Sequence, residues 1–263
     1  CLGLSLITVS GCQTTTRDSD VGAGRSQLLL VSSEQLNQMA SEAYATLKAD
    51  ASSKGELNTD QAALKRVRAV ASRLQAKTGV FRRDAPGWQW EVNVINSDVL
   101  NAFVMPGGKI MVYSGLIHQL NLTDNEIAIV LGHEITHALR EHSREQVSQA
   151  MAAQTAIGIG AAVFGLGQGG ANMAGAGYQA LVASRFSRDH ESEADRLGLE
   201  LTARAGYDPR AGVTVWQKMI SANQGGRPPE FLSSHPAEAS RIREIQKLLP
   251  IVMPLYEAAR HKR

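Results

Sequence analysis

The chain has 263 residues, 43% of them hydrophobic, enough for one sizeable core or at most two small domains. Its 27 basic and 25 acidic residues leave a formal charge of +2, only 5% of residues are aromatic, and no basic cluster is interleaved with aromatic side chains. That balance argues against a nucleic-acid partner.

Residues 1–12, CLGLSLITVSGC, are apolar but too short to span a bilayer, and they read as the back half of a truncated signal peptide. Val9-Ser10-Gly11-Cys12 resembles a bacterial lipobox, in which the cysteine is lipidated and becomes the first mature residue. With Gln13 rather than Asp after it, the expected destination is the periplasmic face of the outer membrane, lipid-anchored at Cys12. The plainer alternative is an apolar N-terminus with an incidental cysteine. Residues 13–32, rich in Thr, Ser, Asp and Gly towards their start, read as a flexible tether. Residues 33–263 then form a single domain.

Ser32 or Ser33 caps a first expected helix to about Asp50, and Thr59 or Asp60 starts a second to about Lys77, ended by Gly79. After the Pro86-Gly87 turn the apolar period changes from 3.6 to 2 at Trp88, Trp90, Val92 and Val94. Asn101–Met105 and Lys109–Tyr113, separated by Pro106-Gly107-Gly108, complete a small antiparallel sheet. A short helix spans about Ser114 to Leu120. Thr123-Asp124-Asn125-Glu126 reads as a capping box opening a helix to about His142. From Gln146 to Ser184 there is no charged residue, and the centre, Ala156 to Gly167, is dense in glycine. It reads as a continuing helix, a Gly-rich loop serving as lid, membrane-dipping segment or core, and a further helix from about Ala176. Ser187 caps a helix to Ala205, Pro209 opens another to about Ala222, Gly225 to Pro229 is a loop, and a last helix runs from about Ala237 to Leu249. The fold class is α+β and mostly helical.

Chemistry concentrates in His133-Glu134-Ile135-Thr136-His137. Residues four apart share a helix face, so both imidazoles can reach one metal ion while Glu134 is placed to take a proton from water. A third protein ligand is needed. The metzincin spacing requires Gly at 140 and His at 143, where this chain has Arg140 and Ser143. Glu191-Ser-Glu-Ala-Asp195 supplies the alternative, with Glu191 as ligand and Asp195, on the same face, orienting a liganding imidazole. Glu193 points about 160° away from that face and ranks lower. Two imidazoles and one carboxylate favour zinc, one ion per chain.

With these residues the chain resembles the HtpX, BepA and CAAX-protease group of gluzincin metallopeptidases. Asn101-Ala-Phe-Val-Met-Pro-Gly-Gly108 resembles that family's strand pair, and Ser234-His235-Pro236 through Arg241 its late S-H-P block. Within the family the similarity is nearest to periplasmic lipoprotein members such as LoiP. The resemblance implies a zincin-like core, an endopeptidase of protein quality control, and substrates taken as extended, unfolded chains, with outer-membrane proteins or their assembly machinery as partners. It also implies that the sheet edge around Gly108 to Tyr113 pairs with substrate. His235 is a candidate oxyanion stabiliser, an inhibitory fourth ligand, or a structural turn residue. His118, His142 and His190 read as surface or local hydrogen-bonding groups, and Arg241 as a brace. The rival reading is a lipid-anchored chaperone for outer-membrane proteins that cleaves little.

Overall fold

A computed structural model describes residues 12–157, 181, 185–224, 229–235 and 239–261. Two short strands, β1 (Cys12–Gln13) and β2 (Gln27–Leu28), precede the helices α1 (Ser33–Ser53) and α2 (Gln61–Gln75). The sheet strands β3 (Glu91–Ile95), β4 (Ala102–Met105) and β5 (Lys109–Tyr113) follow. Then come α3 (Ser114–Gln119), α4 (Asp124–Leu139), α5 (His142–Ile157), α6 (Arg188–Arg204), α7 (Ala211–Gln224), α8 (Phe231–Ser234) and α9 (Ala239–Arg260).

The caps form as the residue types dictate. Ser32 and Gln35 make a capping box at α1, Asp60 accepts the Ala63 amide at α2, and Ser187 accepts the His190 amide at α6. At α4 the Thr123 hydroxyl accepts the Glu126 N–H at 3.3 Å, and the Glu126 carboxylate accepts the Thr123 N–H at 2.8 Å. The core lies on both faces of the sheet. Phe103, Met105 and Met111 meet Leu36, Ala40 and Tyr44 of α1, whereas Val104, Ile110 and Val112 face the α2–α4 side with Val67, Leu74 and Leu131.

The structure adjusts the sequence reading in several places. The sheet is mixed, in the order β3-β5-β4, with β5 antiparallel to β4 but parallel to β3. The tight Pro106-Gly107-Gly108 turn makes β4 and β5 a hairpin, and β3 joins its β5 side. Gly107 and Gly108 have φ of 76° and 86°, and a Cβ on Gly108 would lie 2.7 Å from the Trp90 ring, so only glycine fits there. Because β5 is central, the expected docking edge at Gly108 to Tyr113 is not an edge. The outer side of β3 is bonded by the segment Glu56 to Asn58, while among the described residues no strand pairs with the outer side of β4.

Residues 13–32, expected as a tether, are bound to the domain. Cys12–Gln13 pairs with Gln27–Leu28, and Val21, Gln27 and Leu29 are buried. The physical reason is charge: Arg25 finds buried carboxylates. Trp88 and Trp90 lie outside the strand, and α9 continues through Pro250 and Pro254 to Arg260 because Val252 is fully buried and Leu255 and Tyr256 pack on the core. The segment before Cys12, expected as part of a signal peptide, and most of the uncharged stretch, with the expected Gly-rich lid, membrane-dipping loop or core and the expected helix from about Ala176, lie outside the described residues. Among the described residues no helix is long and apolar enough to cross a membrane.

Candidate active site

Two helices carry the site, and glycines set their separation. Gly132 of α4 and Gly198 of α6 meet so closely that a Cβ on Gly198 would stand 2.7 Å from the His133 nitrogen. This approach brings the first turns of α6, with Glu191 and Asp195, up to His133 and His137.

His133, His137, Glu191 and His235 present four ligand atoms, all buried and all within 4.8 Å of one another. His133 Nε2 is 3.1 Å from His137 Nε2 and 3.2 Å from His235 Nδ1, and His235 Nδ1 is 2.8 Å from Glu191 Oε1. His133 Nδ1 lies 3.0 Å from Asp195, so that nitrogen carries the proton and Nε2 presents a lone pair into the cluster. Imidazole lone pairs converging beside a carboxylate repel one another unless a cation stands between them. The donor set fits a divalent metal ion.

Each group is held from behind. Arg241 grips Asp195 through two hydrogen bonds of 2.6 and 2.7 Å, reaches Glu191 at 2.7 Å, and stacks 3.6 Å above the Trp216 ring. Arg241 thus braces the site as well as the fold. Phe186 stacks on His137 with ring centres 3.9 Å apart, and Phe231 stacks on His235 at 4.6 Å. Burial raises the Glu191 pKa, but His235 and Arg241 outweigh it and hold the carboxylate well below its usual range. Asp195 is likewise pushed up by burial and held down by Arg241 and His133. Burial lowers the His137 pKa far below that of a free imidazole, leaving it neutral as a ligand must be. Burial raises the Glu134 pKa against the pull of His235 and His133, the direction a proton acceptor working near neutral pH requires.

Glu134, His137 and His235 line a cleft with Asn101 to Val104, the residues of the β4 edge. His235 Nε2 is 3.3 Å from Glu134 Oε1, so this side chain stands between the acid and the other ligand atoms. The surface assignment holds for His118, which is exposed and 2.6 Å from Asp60. His142 and His190 are instead the local hydrogen-bonding groups of that reading: both are buried, and His190 Nε2 lies 3.1 Å from Glu145. For His142 the cause is a break in the expected α4 helix: Glu141 takes φ of 50°, α4 stops at Leu139, and α5 restarts at His142. His142 is thereby turned inward, its Nδ1 2.9 Å from His137 Nδ1 and its Nε2 2.9 Å from Glu193. Glu193, off the Glu191–Asp195 face as the periodicity requires, faces Arg140 and Arg25 instead.

The family model of peptidase family M48 matches residues 61–249, most of the chain. The chain belongs to peptidase family M48. It is 37% identical over 164 residues to mitochondrial metalloendopeptidase OMA1 of Schizosaccharomyces pombe, covering 62% of this chain and 47% of that protein. With metalloendopeptidase OMA1 of Bos taurus it shares 31% over 249 residues, 89% of this chain and 46% of the relative. With the beta-barrel assembly-enhancing protease of Escherichia coli it shares 31% over 171 residues, 62% and 35% respectively. This M48 chain spans about half the length, or less, of the curated relatives it matches. The family is a metal-dependent one, which agrees with the ligand cluster. Mitochondrial OMA1 proteins among the relatives overturn the placement as a periplasmic outer-membrane lipoprotein anchored at Cys12, which the short N-terminal motif alone had suggested. The likeness to BepA-type members stands, and these relatives do not extend it to a lipoprotein member such as LoiP.

Proposed function

We propose that this M48 chain is a zinc-dependent endopeptidase that cleaves extended segments of unfolded or misassembled proteins, in the service of protein quality control. The observation that carries it is Glu134 beside a buried His133–His137–Glu191 donor set at the end of a cleft bordered by the β4 edge. His133, His137 and Glu191 would hold the ion. When bound, Zn2+ would polarise the scissile carbonyl and acidify water. Glu134 takes the proton of the attacking water and delivers it to the leaving amine. An extended substrate lies along β4, where backbone hydrogen bonds align the chain with little demand on its sequence. His235, within reach of both Glu134 and Glu191, steadies the oxyanion once displaced, or blocks the cleft as a fourth ligand while it remains.

The position of His235 also favours a second reading, a chaperone-like binder that cleaves rarely. Casein hydrolysis and metal content, measured for the parent, Glu134→Gln and His235→Ala, separate the two. One zinc per chain in all three, with cleavage in the parent or in His235→Ala and none in Glu134→Gln, supports the peptidase. A fall or a rise in His235→Ala then assigns His235 to the oxyanion or to blocking the cleft. Zinc without cleavage in parent and His235→Ala supports the binder. Folded protein that takes up no zinc would sink the site.

A further inference from the structure

The two histidines of the motif are oriented by different means. His133 has Asp195. His137 has no carboxylate at its Nδ1; it has a second imidazole, His142, 2.9 Å away. Proton bookkeeping fixes this contact. If His137 Nε2 faces the ligand cluster as a lone pair, its Nδ1 carries the proton and donates it. His142 Nδ1 must then be the acceptor, which leaves the His142 proton on Nε2, 2.9 Å from Glu193 Oε2. Glu193 also accepts from two cations: Arg140, fully buried and bonded to both carboxylate oxygens at 3.1 Å, and Arg25 at 3.0 Å. Arg25 comes from the segment between β1 and β2 and also pairs with Glu145 at 2.6 Å.

We propose that His142 and Glu193 are the positioning residues of His137, a carboxylate–imidazole–imidazole arm equivalent to Asp195 behind His133 and closed by Arg25 of the N-terminal segment. This rests on the metal-site reading and deepens it. The arm holds His137 in one tautomer and one ring orientation. Orienting groups of this kind are worth about 10–100-fold in metal affinity.

The test measures Zn2+ affinity by competition with a chromophoric chelator for the full chain and its variants. His142→Leu, which removes the acceptor, is expected to lose about 10–100-fold. His142→Asn, whose amide oxygen can stand where Nδ1 stands, is expected to recover most of it. Glu145→Gln disturbs Arg25 and the same buried network but leaves His142 and its contacts with His137 and Glu193 in place, and is expected to bind much closer to the parent than His142→Leu does. Equal losses in all three variants, or none in His142→Leu, would overturn the proposal. A parent that binds no zinc would instead refute the site itself. Should His142→Leu not fold, the imidazole 15N spectrum of the zinc-loaded parent decides. His142 protonated at Nε2 and bare at Nδ1 supports the arm, and the opposite tautomer rejects it.

Discussion

Replacing Gly198 by Ala tests whether the close approach of α4 and α6 sets the ligand geometry. The new Cβ would meet the His133 nitrogen at 2.7 Å and the Gly132 carbonyl carbon and oxygen at 2.8 and 2.9 Å, where ordinary contact begins at 3.4 Å. These are backbone atoms and cannot rotate aside, so the helices must separate by about 0.7 Å, overpacking that costs about 1–3 kcal/mol. Ala is the better helix former by about 1 kcal/mol, which leaves a net loss of about 0–2 kcal/mol. At about 2–4 °C per kcal/mol for a chain of this size, Tm should fall by a few degrees. The metal should register the change more strongly. Metal–ligand distances tolerate only about 0.2 Å, and the shift moves Glu191 and Asp195 away from His133 and His137 together. Zn2+ affinity is therefore expected to fall by about 10-fold or more. Calorimetry and chelator competition read both quantities. A raised Tm with unchanged affinity, the outcome of helix propensity alone, would refute the reasoning.

Three further perturbations address the support of the site. Thr123→Ala removes the α4 capping box and should cost about 0.5–2 kcal/mol in urea unfolding; no measurable loss would show that Lys218 and Thr214, which also bind Glu126, hold the helix start unaided. Arg241→Met leaves the buried Asp195 and Glu191 carboxylates without their common partner and should destabilise the protein by about 3–5 kcal/mol, a prediction that fails if the urea midpoint barely moves. Burial pushes the Glu145 pKa up from its ordinary 4.5, but hydrogen bonds from Arg25, His190 and Gln27 outweigh it and hold the carboxylate far below. A depressed folded pKa means stability fully present above the unfolded pKa and lost as pH falls towards the folded one. Tm should therefore drop between about pH 5 and about pH 3, and the drop should be smaller in Glu145→Gln. Identical profiles would show that other carboxylates govern the acid limb.

Much of this site could be read from the chain because helical periodicity acts within one element. His133 and His137 share a face of α4, Glu191 and Asp195 share a face of α6, and the caps at Thr123 and Ser187 fix where those faces begin. The sheet was less legible. Strand positions follow from alternation, but whether β3 pairs with β4 or β5, and in which direction, depends on the path of a connection that alternation does not encode. That is why β5, expected at an edge, is central, and the side left unpaired by any strand among the described residues is that of β4. The N-terminal segment misled for a different reason. Polar composition reads as a tether because it offers little apolar surface to bury, yet here the binding is ionic, through Arg25 to Glu145 and Glu193.

His142 shows where periodicity itself runs out. Continuing α4 past Leu139 makes it one more polar residue at a helix end, whereas the left-handed Glu141 starts a new helix and turns the ring beneath His137. The clue that the chain does carry is a cost. Arg140, Glu145 and Glu193 have no business in a buried place unless paired, and each is buried. Once Glu193 is known to lie off the Glu191–Asp195 face, it needs cations and a donor of its own. Arg140 and Arg25 supply the charge, and His142 supplies a proton from Nε2, the tautomer whose other nitrogen can accept from His137. The buried charges behind the motif helix and the orientation of one motif histidine are thus a single requirement, met by residues from α4, α5, α6 and the N-terminal segment.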